Sequence, residues 1–382
     1  MLPSLTAEEA ALVERARQFT REVVAPNAAR WERERRMPRE ALREAASLGL
    51  LSIEVPKAHG GLGMSFFAKL RVAEELAGAC MGFAFSLVNV HNCAWRLALD
   101  GAPEHVQRLV PALMRAERLG GAALSEPGAG SDFAAIATTA RKVDGGWVLD
   151  GEKGWITNAA HGDVYTTYAQ TEPGSRGKGI ACFVIDGTRP GFERVPPYQL
   201  MGGHAIGAGG FRLKDYRATD ADLLYPPGQA FKRALTSING ARTYVAAMCC
   251  GMLEAALACA VRYGTARRTF GARVVDHQGV RWQLAKAAND LEAARLLTYR
   301  AAALIDAGAD ALLAAAHAKK FAGEMIVARL ADCMQAMGAN GLREEHPIGR
   351  HLALARIANY VDGSTEMQSE RIGAVLLERY AD

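Results

Sequence analysis

WVLDGEKGWITN, Trp147–Asn158, reads as strand: β-branched and aromatic residues cut by an Asp-Gly turn, with no helical spacing. DVYTTYAQT (Asp163–Thr171) and GIACFVID (Gly179–Asp186) repeat that texture, which extends from about Gly120 to Pro227. Roughly 100 residues of it predict an antiparallel sheet or barrel. On either side the period changes to that of a helix. Upstream, Thr6 with Glu9 is a capping box, and Leu12, Ala16, Phe19 and Val23 follow at helical spacing. A Gly-rich loop, VPKAHGGLGMSF (Val55–Phe66), leads into helices predicted over roughly 65–80, 83–99 and 103–116. Downstream of Pro227, long Ala- and Leu-rich patterns at roughly 229–263, 275–306, 309–337 and 364–379 predict a helical bundle. Helices, then strands, then helices give an α+β multidomain chain with segments 1–120, 121–230 and 231–382, not an alternating βαβ fold. No G-x-G-x-x-G follows a strand and no G-x-x-x-x-G-K-[ST] occurs, which excludes a nicotinamide-binding Rossmann domain and a P-loop.

The length of 382 residues agrees with two or three cores. Half of the residues are hydrophobic, which excludes a disordered chain. Lys and Arg outnumber Asp and Glu only by 45 to 41, and the surplus is spread along the chain, so no nucleic-acid partner is expected. Seven cysteines, odd in number and without C-x-x-C spacing, sit mostly in Ala-rich apolar stretches. They predict neither a disulfide framework nor a metal site, and a reduced, cytoplasmic protein. The N-terminus, MLPSLTAEEAALVERARQF, is charged early and lacks the apolar core of a signal peptide. Residues 76–95 carry no formal charge and could cross a bilayer by length, but Ser86, Asn89, His91 and Asn92 crowd their second half. A buried helix with a polar end, and no membrane partner, is the expectation.

Five short patches combine glycine with hydroxyls, arginine or acids, and each has an ordinary reading beside a chemical one. Glu126–Asp132 (EPGAGSD), preceded by Leu124 and Ser125, is either a plain β-turn or a place where a ligand approaches backbone bare of Cβ, with Ser125 and Ser131 orienting it. Gly154–Asn158 (GWITN) is either a barrel core Trp or an aromatic and a hydroxyl offered from alternate strand positions. Arg267–Gly271 (RRTFG), with His277 and Gln278 after it, is a helix terminus favoured by the dipole or an anion clamp. Gln335–Gly341 (QAMGANG) reads as a helix C-cap, and Tyr360–Glu366 (YVDGSTE) as a turn into an N-capped helix.

Taken in order, ALSEPGAGSD, GEKGWITN, RRTFG…HQ, QAMGANG and DGSTEMQ, with LREAASLGLLSIEVPKAHGGLG before them, resemble the acyl-CoA dehydrogenase family over essentially the whole chain. The resemblance implies an N-terminal helical domain, a middle β-domain and a C-terminal four-helix bundle. It also implies a homotetramer or homodimer with one FAD per subunit. Leu124, Ser125, Gly130 and Ser131 would line the flavin, and Trp155, Ile156 and Thr157 would cover its other face and N5. Arg267, Phe270, Gln278, Gln335, Gly338 and Ala339 would reach the FAD of a neighbouring subunit, and Ser364 and Glu366 its adenosine and phosphate part. Ser131, Asn239, Arg242 and Gly363 would contact the acyl-CoA, an Arg suiting phosphate recognition.

The implied activity is α,β-dehydrogenation of an acyl-CoA or acyl-carrier thioester to a trans-2-enoyl thioester, with an electron-transfer flavoprotein as acceptor. The α-proton of a thioester is too weakly acidic for a free carboxylate. Hydrogen bonds from a backbone N–H and a flavin ribityl hydroxyl would stabilise the enolate-like charge as it develops. A dry pocket raises a carboxylate's pKa and makes it a better base, and the β-hydride passes to flavin N5.

Asp362 stands where the family has a catalytic Glu. The lost methylene draws the carboxylate back by up to ~1.5 Å, a displacement able to cost about a hundredfold in rate. Three readings stay open: Asp362 is the base with substrate or backbone shifted to suit; the scaffold serves another reaction, such as flavin monooxygenation or elimination; or the chain is a non-catalytic member. Ala241, beside Arg242, removes the alternative base that some relatives carry there, and Asn239 replaces a common acid. Val361 replaces an aromatic, either admitting a bulkier acyl group or simply packing.

Overall fold

A computed structural model describes residues 3–381, so positions 1, 2 and 382 of the outer segments lie outside the description. Five helices come first: α1 (Ala7–Phe19), α2 (Ala25–Arg33), α3 (Arg39–Ser47), α4 (Phe66–Asp100) and α5 (Pro103–Met114). The capping box forms at Thr6, whose hydroxyl accepts from the Glu9 N–H while its own N–H donates to the Glu9 carboxylate. The two helices expected over 65–80 and 83–99 are one run, α4, bent at Cys80 where the backbone leaves the helical region (φ −155°, ψ 99°). Its polar residues Ser86, Asn89, His91 and Asn92 therefore belong to a core helix, most of which is buried inside the protein.

The middle of the chain folds into one eight-stranded sheet: β1 (Gly120–Ala123), β2 (Thr139–Val143), β3 (Gly146–Ile156), β4 (Val164–Gln170), β5 (Ile180–Asp186), β6 (Phe192–Val195), β7 (Gly209–Thr219) and β8 (Leu223–Tyr225). The order is β6-β7-β3-β2-β4-β5-β8, with β1 beside β4. An antiparallel sheet was the expectation, and the sheet is mixed. β1 enters from α5 and lies parallel to β4, Gly120 opposite Val164, and β2 also meets β4 in parallel at Thr139 and Gln170. Neither contact joins strands linked by a hairpin, so hairpin signals in the sequence could not report them. Tyr165, Phe183, Phe211 and Tyr216 fill the interior of the sheet.

Long helices follow: α6 (Ala230–Ala266), α7 (Gln278–Asp306), α8 (Leu312–Ala336), α9 (Ile348–Ala355) and α10 (Thr365–Tyr380). Between α6 and α7 a small hairpin pairs β9 (Arg268–Thr269) with β10 (Ala272–Arg273). RRTFG is therefore more than a helix terminus. Phe270 and Gly271 make its two-residue turn, both with positive φ (50° and 81°), as such turns demand.

The domains meet where α4 crosses α6. At Gly251 a Cβ would lie 2.0 Å from the Glu74 carbonyl oxygen, so only glycine lets the two backbones approach. Buried Glu74 then ties α4 to α7 through Arg295 and Tyr299, both at 2.8 Å. Gly251→Ala is expected to lower stability by about 1–3 kcal/mol, read as a fall in thermal midpoint, because the overpacked atom is backbone and cannot rotate away.

Candidate active site

A cavity of about 1450 Å³ lies between α4, α6, the ends of β1 and β3, and the loop entering α10. Most sequence-selected residues meet there. Leu124, Ser125, Gly130 and Ser131 come from the loop after β1, and Trp155, Ile156 and Thr157 from the end of β3. Asn239 and Arg242 face it from α6, and Asp362, Gly363 and Ser364 from the loop before α10.

The first two groups form one braced wall. The Gly154 N–H donates to the Ser125 carbonyl at 3.1 Å, fastening loop to strand. Beneath it Lys153, fully buried, donates to the Glu126 carboxylate at 2.8 Å and to the Leu124 carbonyl at 3.1 Å. Glu126 also accepts from the Ala137 and Thr138 N–H groups, at 2.6 and 3.0 Å. Burial brings the Lys153 ammonium down to about 8 against the attraction of Glu126. Burial also works to raise the Glu126 carboxyl, but Lys153 and the N–H donors outweigh it and hold it below the usual range. Asn158, with positive φ (66°), joins the strand end to α4 and β1 through Ser86 and the Gly120 carbonyl. Glu126, Lys153 and Asn158 carry no sequence sign of this role: Lys153 is a charge in a strand pattern, Glu126 opens a turn and Asn158 ends a strand, all places where solvated residues are ordinary.

Trp155 sits where the pairing of β3 with β7 slips register, between Lys153 and Ile156, and its φ is +61°. The irregularity turns the indole out of the sheet, leaving it 64% exposed against Tyr198, ring centroids 4.5 Å apart. A positive φ at a tryptophan is strain of the kind held at ligand sites. At Gly128 and Gly130 an added Cβ would meet no atom of the described residues within 4 Å, so packing does not require glycine there and the backbone is open to a ligand. An open glycine cradle, a presented indole and the hydroxyls of Ser125, Ser131 and Thr157 fit a flat heterocycle with a polar edge. FAD is such a group.

Asp362 lines the same cavity. It and Gly363 both have positive φ (56° and 87°), just before Ser364 caps α10 by accepting from the Met367 N–H. The loop is held by its carbonyls: Arg242 Nε donates to Asp362 O at 3.1 Å, Lys319 Nζ to Gly363 O at 2.6 Å, and Gln368 Nε2 to Gly363 O at 3.0 Å. The carboxyl is left with a buried oxygen, Oδ2, that has no hydrogen-bond partner among the described residues. Burial pushes the Asp362 carboxyl up, and Lys319 and Arg242 offset only part of that. Burial also brings Lys319 down to about 8 and Arg242, with Arg371 nearby, to about 10.

Arg242 was expected to bind substrate phosphate. It is 2% exposed and engaged with Asp362 O and, at 2.9 Å, with the Asn239 side-chain oxygen. A guanidinium so committed positions the loop instead of meeting a solvated phosphate, and Asn239 serves it. Lys319, a single charge in an Ala-rich helical pattern, shares the task. Val361 is half-buried against the core.

The other selected residues lie elsewhere. Arg267, Phe270, Gln278, Gln335, Gly338 and Ala339 are exposed around the α6–α7 hairpin and the end of α8, and Phe270 is 100% exposed at its tip. Glu366 is exposed in the first turn of α10. None of these lines the cavity.

Family models match the chain in three consecutive blocks: the N-terminal domain of acyl-CoA dehydrogenases over residues 6–117, the middle domain over 121–216 and the C-terminal domain over 228–377. The mitochondrial short-chain specific acyl-CoA dehydrogenase of Bos taurus is 34% identical over 366 residues, 95% of this chain and 89% of that protein. Among solved structures, butyryl-CoA dehydrogenase from Megasphaera elsdenii superposes with a TM-score of 0.94 at 30% identity, covering 99% of this chain and all of that one. An FAD complex of PigA superposes with a TM-score of 0.93 at 25% identity, again over 99% of this chain and all of that one.

Proposed function

Since the chain belongs to the acyl-CoA dehydrogenase family, whose members are FAD-dependent oxidoreductases, we propose that it desaturates an acyl thioester between Cα and Cβ, with Asp362 as the base that takes the α-proton. The observation that carries this reading is the Asp362 carboxyl itself: it lines the cavity that Ser125, Trp155 and Thr157 also line, and its buried oxygen Oδ2 has no hydrogen-bond partner among the described residues. Bound FAD supplies the acceptor for the β-hydride. Leu124–Ser131 and Trp155–Thr157 would hold it, and the brace of Glu126 and Lys153 sets the spacing of those two segments.

The protein's part is proton chemistry. A carboxylate removed from water holds a proton more strongly, which suits it to abstract a weakly acidic one. Lys319 and Arg242 place positive charge beside it, which favours the ionised form and offsets part of the effect of burial. Both act on the loop backbone as well, so the short side chain is carried on a fixed platform. Depth of the loop, not length of the side chain, would then place the base.

The exposed Arg267, Phe270, Gln278, Gln335, Gly338 and Ala339 support an assembly in which a second copy uses them to complete the cofactor site. A homotetramer or homodimer, and an electron-transfer flavoprotein as acceptor, complete the reading.

Anaerobic addition of acyl-CoA thioesters to the FAD-loaded enzyme is expected to bleach the flavin absorbance. Bleaching by externally reduced flavin alone, with none by any thioester, would sink the proposal. Asp362→Glu is expected to lower the bleaching rate with the best thioester by about a hundredfold, because the loop is fixed and the added methylene overshoots. A faster rate in that variant would show instead that the native loop sits too deep for that substrate.

A further inference from the structure

One end of the cavity is built from charge and amide where a hydrocarbon chain would want methyl groups. Lys69, in the first turn of α4 and 4% exposed, is ion-paired with Glu54. It also donates to the Asn92 side-chain oxygen at 3.0 Å. Its ammonium lies over the rings of Phe66 (4.7 Å to the centroid), Trp95 (5.8 Å) and Tyr244 (5.9 Å). The Glu54 N–H donates to His91 Nε2 at 3.0 Å, which fixes the acid against α4. Glu54, Lys69, Asn89, Asn92 and Tyr244 all line the cavity that Asp362 lines, and the charge of Asp362 is felt at the Tyr244 phenol.

The hydrogen-bonding capacity of this wall is only partly used. Beyond its ion pair, no hydrogen bond among the described residues engages the Glu54 carboxylate. Asn89 donates to the Phe85 carbonyl, which leaves its own side-chain oxygen for the cavity. Asn92 accepts from Lys69, and its amide meets the Tyr244 phenol oxygen, which leaves the phenol O–H as a donor. Acceptors and donors thus stand side by side, and Lys69 and Glu54 already cancel each other's charge. A hydrocarbon tail would strip these groups of water and return nothing. A charged tail would compete with one member of the pair and leave the other unbalanced.

We infer that the acyl group of the substrate carries a neutral hydrogen-bonding substituent, a hydroxyl or carboxamide, which the Glu54–Lys69–Asn92 wall recognises. The inference rests on the thioester reading above and narrows it. The shared polar wall also explains how a cavity lined by Phe66, Trp95 and Tyr244 can keep specificity: the rings give shape, and the polar groups give direction.

The test uses the FAD-loaded enzyme under anaerobic conditions with CoA thioesters matched in heavy-atom count. 4-Hydroxybutanoyl-CoA is paired with pentanoyl-CoA, and 5-hydroxypentanoyl-CoA with hexanoyl-CoA. Apparent Kd is read from the concentration dependence of flavin bleaching. The hydroxylated member of at least one pair is expected to bind about tenfold or more tighter, since a site built for a hydroxyl rejects the analogue lacking it. That preference is expected to disappear in Asn92→Leu and in Lys69→Met, with FAD content per subunit unchanged. Two variants are used so that a folding defect in one leaves the other to decide. Equal or tighter binding of the alkyl members by the unaltered enzyme would overturn the inference, as would a preference that survives both substitutions. Tighter binding of glutaryl-CoA than of either hydroxyacyl thioester would overturn the neutral assignment. Bleaching by no thioester at all would remove the underlying thioester reading, an outcome distinct from bleaching without discrimination.

Discussion

Asp362→Asn is expected to slow flavin bleaching by acyl thioesters about 10²–10⁴-fold while FAD stays bound, the range a positioned general base contributes. The amide keeps the size and the loop conformation but cannot take a proton. The same variant makes a stability prediction with a definite sign. The Asp362 carboxyl titrates above its ordinary value because burial disfavours the charged form more than Lys319 and Arg242 favour it. Its folded-state pKa thus exceeds its unfolded one. The stability linked to it is fully present below the unfolded value and is lost as pH rises through the folded value. At pH 7, above the unfolded value, the native protein bears that linked cost and Asp362→Asn does not. The variant's thermal midpoint should therefore exceed that of the native protein at pH 7, and the gap should shrink as pH is lowered. The rate of bleaching by thioester in the native enzyme should fall on the acid side at a pH above that of an ordinary aspartate. A lower midpoint for the variant at pH 7 would mean that the two cations need the carboxylate more than burial penalises it. Unchanged bleaching would end the assignment of Asp362 as base.

Legibility from sequence divides along physical lines. The long helices were readable because α6, α7, α8 and α10 carry sustained periodicity and are bounded by Pro, Gly or hydroxyl caps. Cavity-facing loops were readable because glycine and serine at close spacing leave a compositional mark, as at Leu124–Ser131. Parallel pairing of β1 with β4 was not, since it depends on where a helical domain delivers its chain and not on any local signal. Nor were the residues that hold the site in place. Lys153, Lys319 and Lys69 look like solvated charges in a linear sequence, and only tertiary packing reveals that each is almost wholly buried. Arg242 shows the converse. Its residue type suggests a phosphate, while its surroundings commit it to a backbone carbonyl. Residue type thus indicated which segments face the ligand, and burial determined what each charge does there.

Burial also sets the second large effect, expected at Lys153. Lys153→Met keeps the length of the side chain and removes its charge, leaving Glu126 buried with only the Ala137 and Thr138 N–H groups as donors. Breaking a buried pair from one side costs about 3–5 kcal/mol, because the remaining charge must be neutralised or hydrated. Here the damage falls on function as well as stability. The Lys153 ammonium holds both the Glu126 carboxylate and the Leu124 carbonyl, so the loop bearing Ser125 and Ser131 is left joined to the strand bearing Trp155 and Thr157 by the Gly154–Ser125 backbone bond without its side-chain brace. FAD retention is expected to weaken by about tenfold or more, equivalent to ~1.4 kcal/mol, measured as flavin released on dilution. Glu126→Gln combined with Lys153→Met removes both charges and should recover most of the thermal stability, as paired removal of buried ions commonly does. It should not recover FAD affinity, because the donor to Leu124 is still missing. Recovery of both together would show that the pair supports only the fold, and intact FAD retention in Lys153→Met would show that the Gly154–Ser125 backbone bond alone suffices to set the wall.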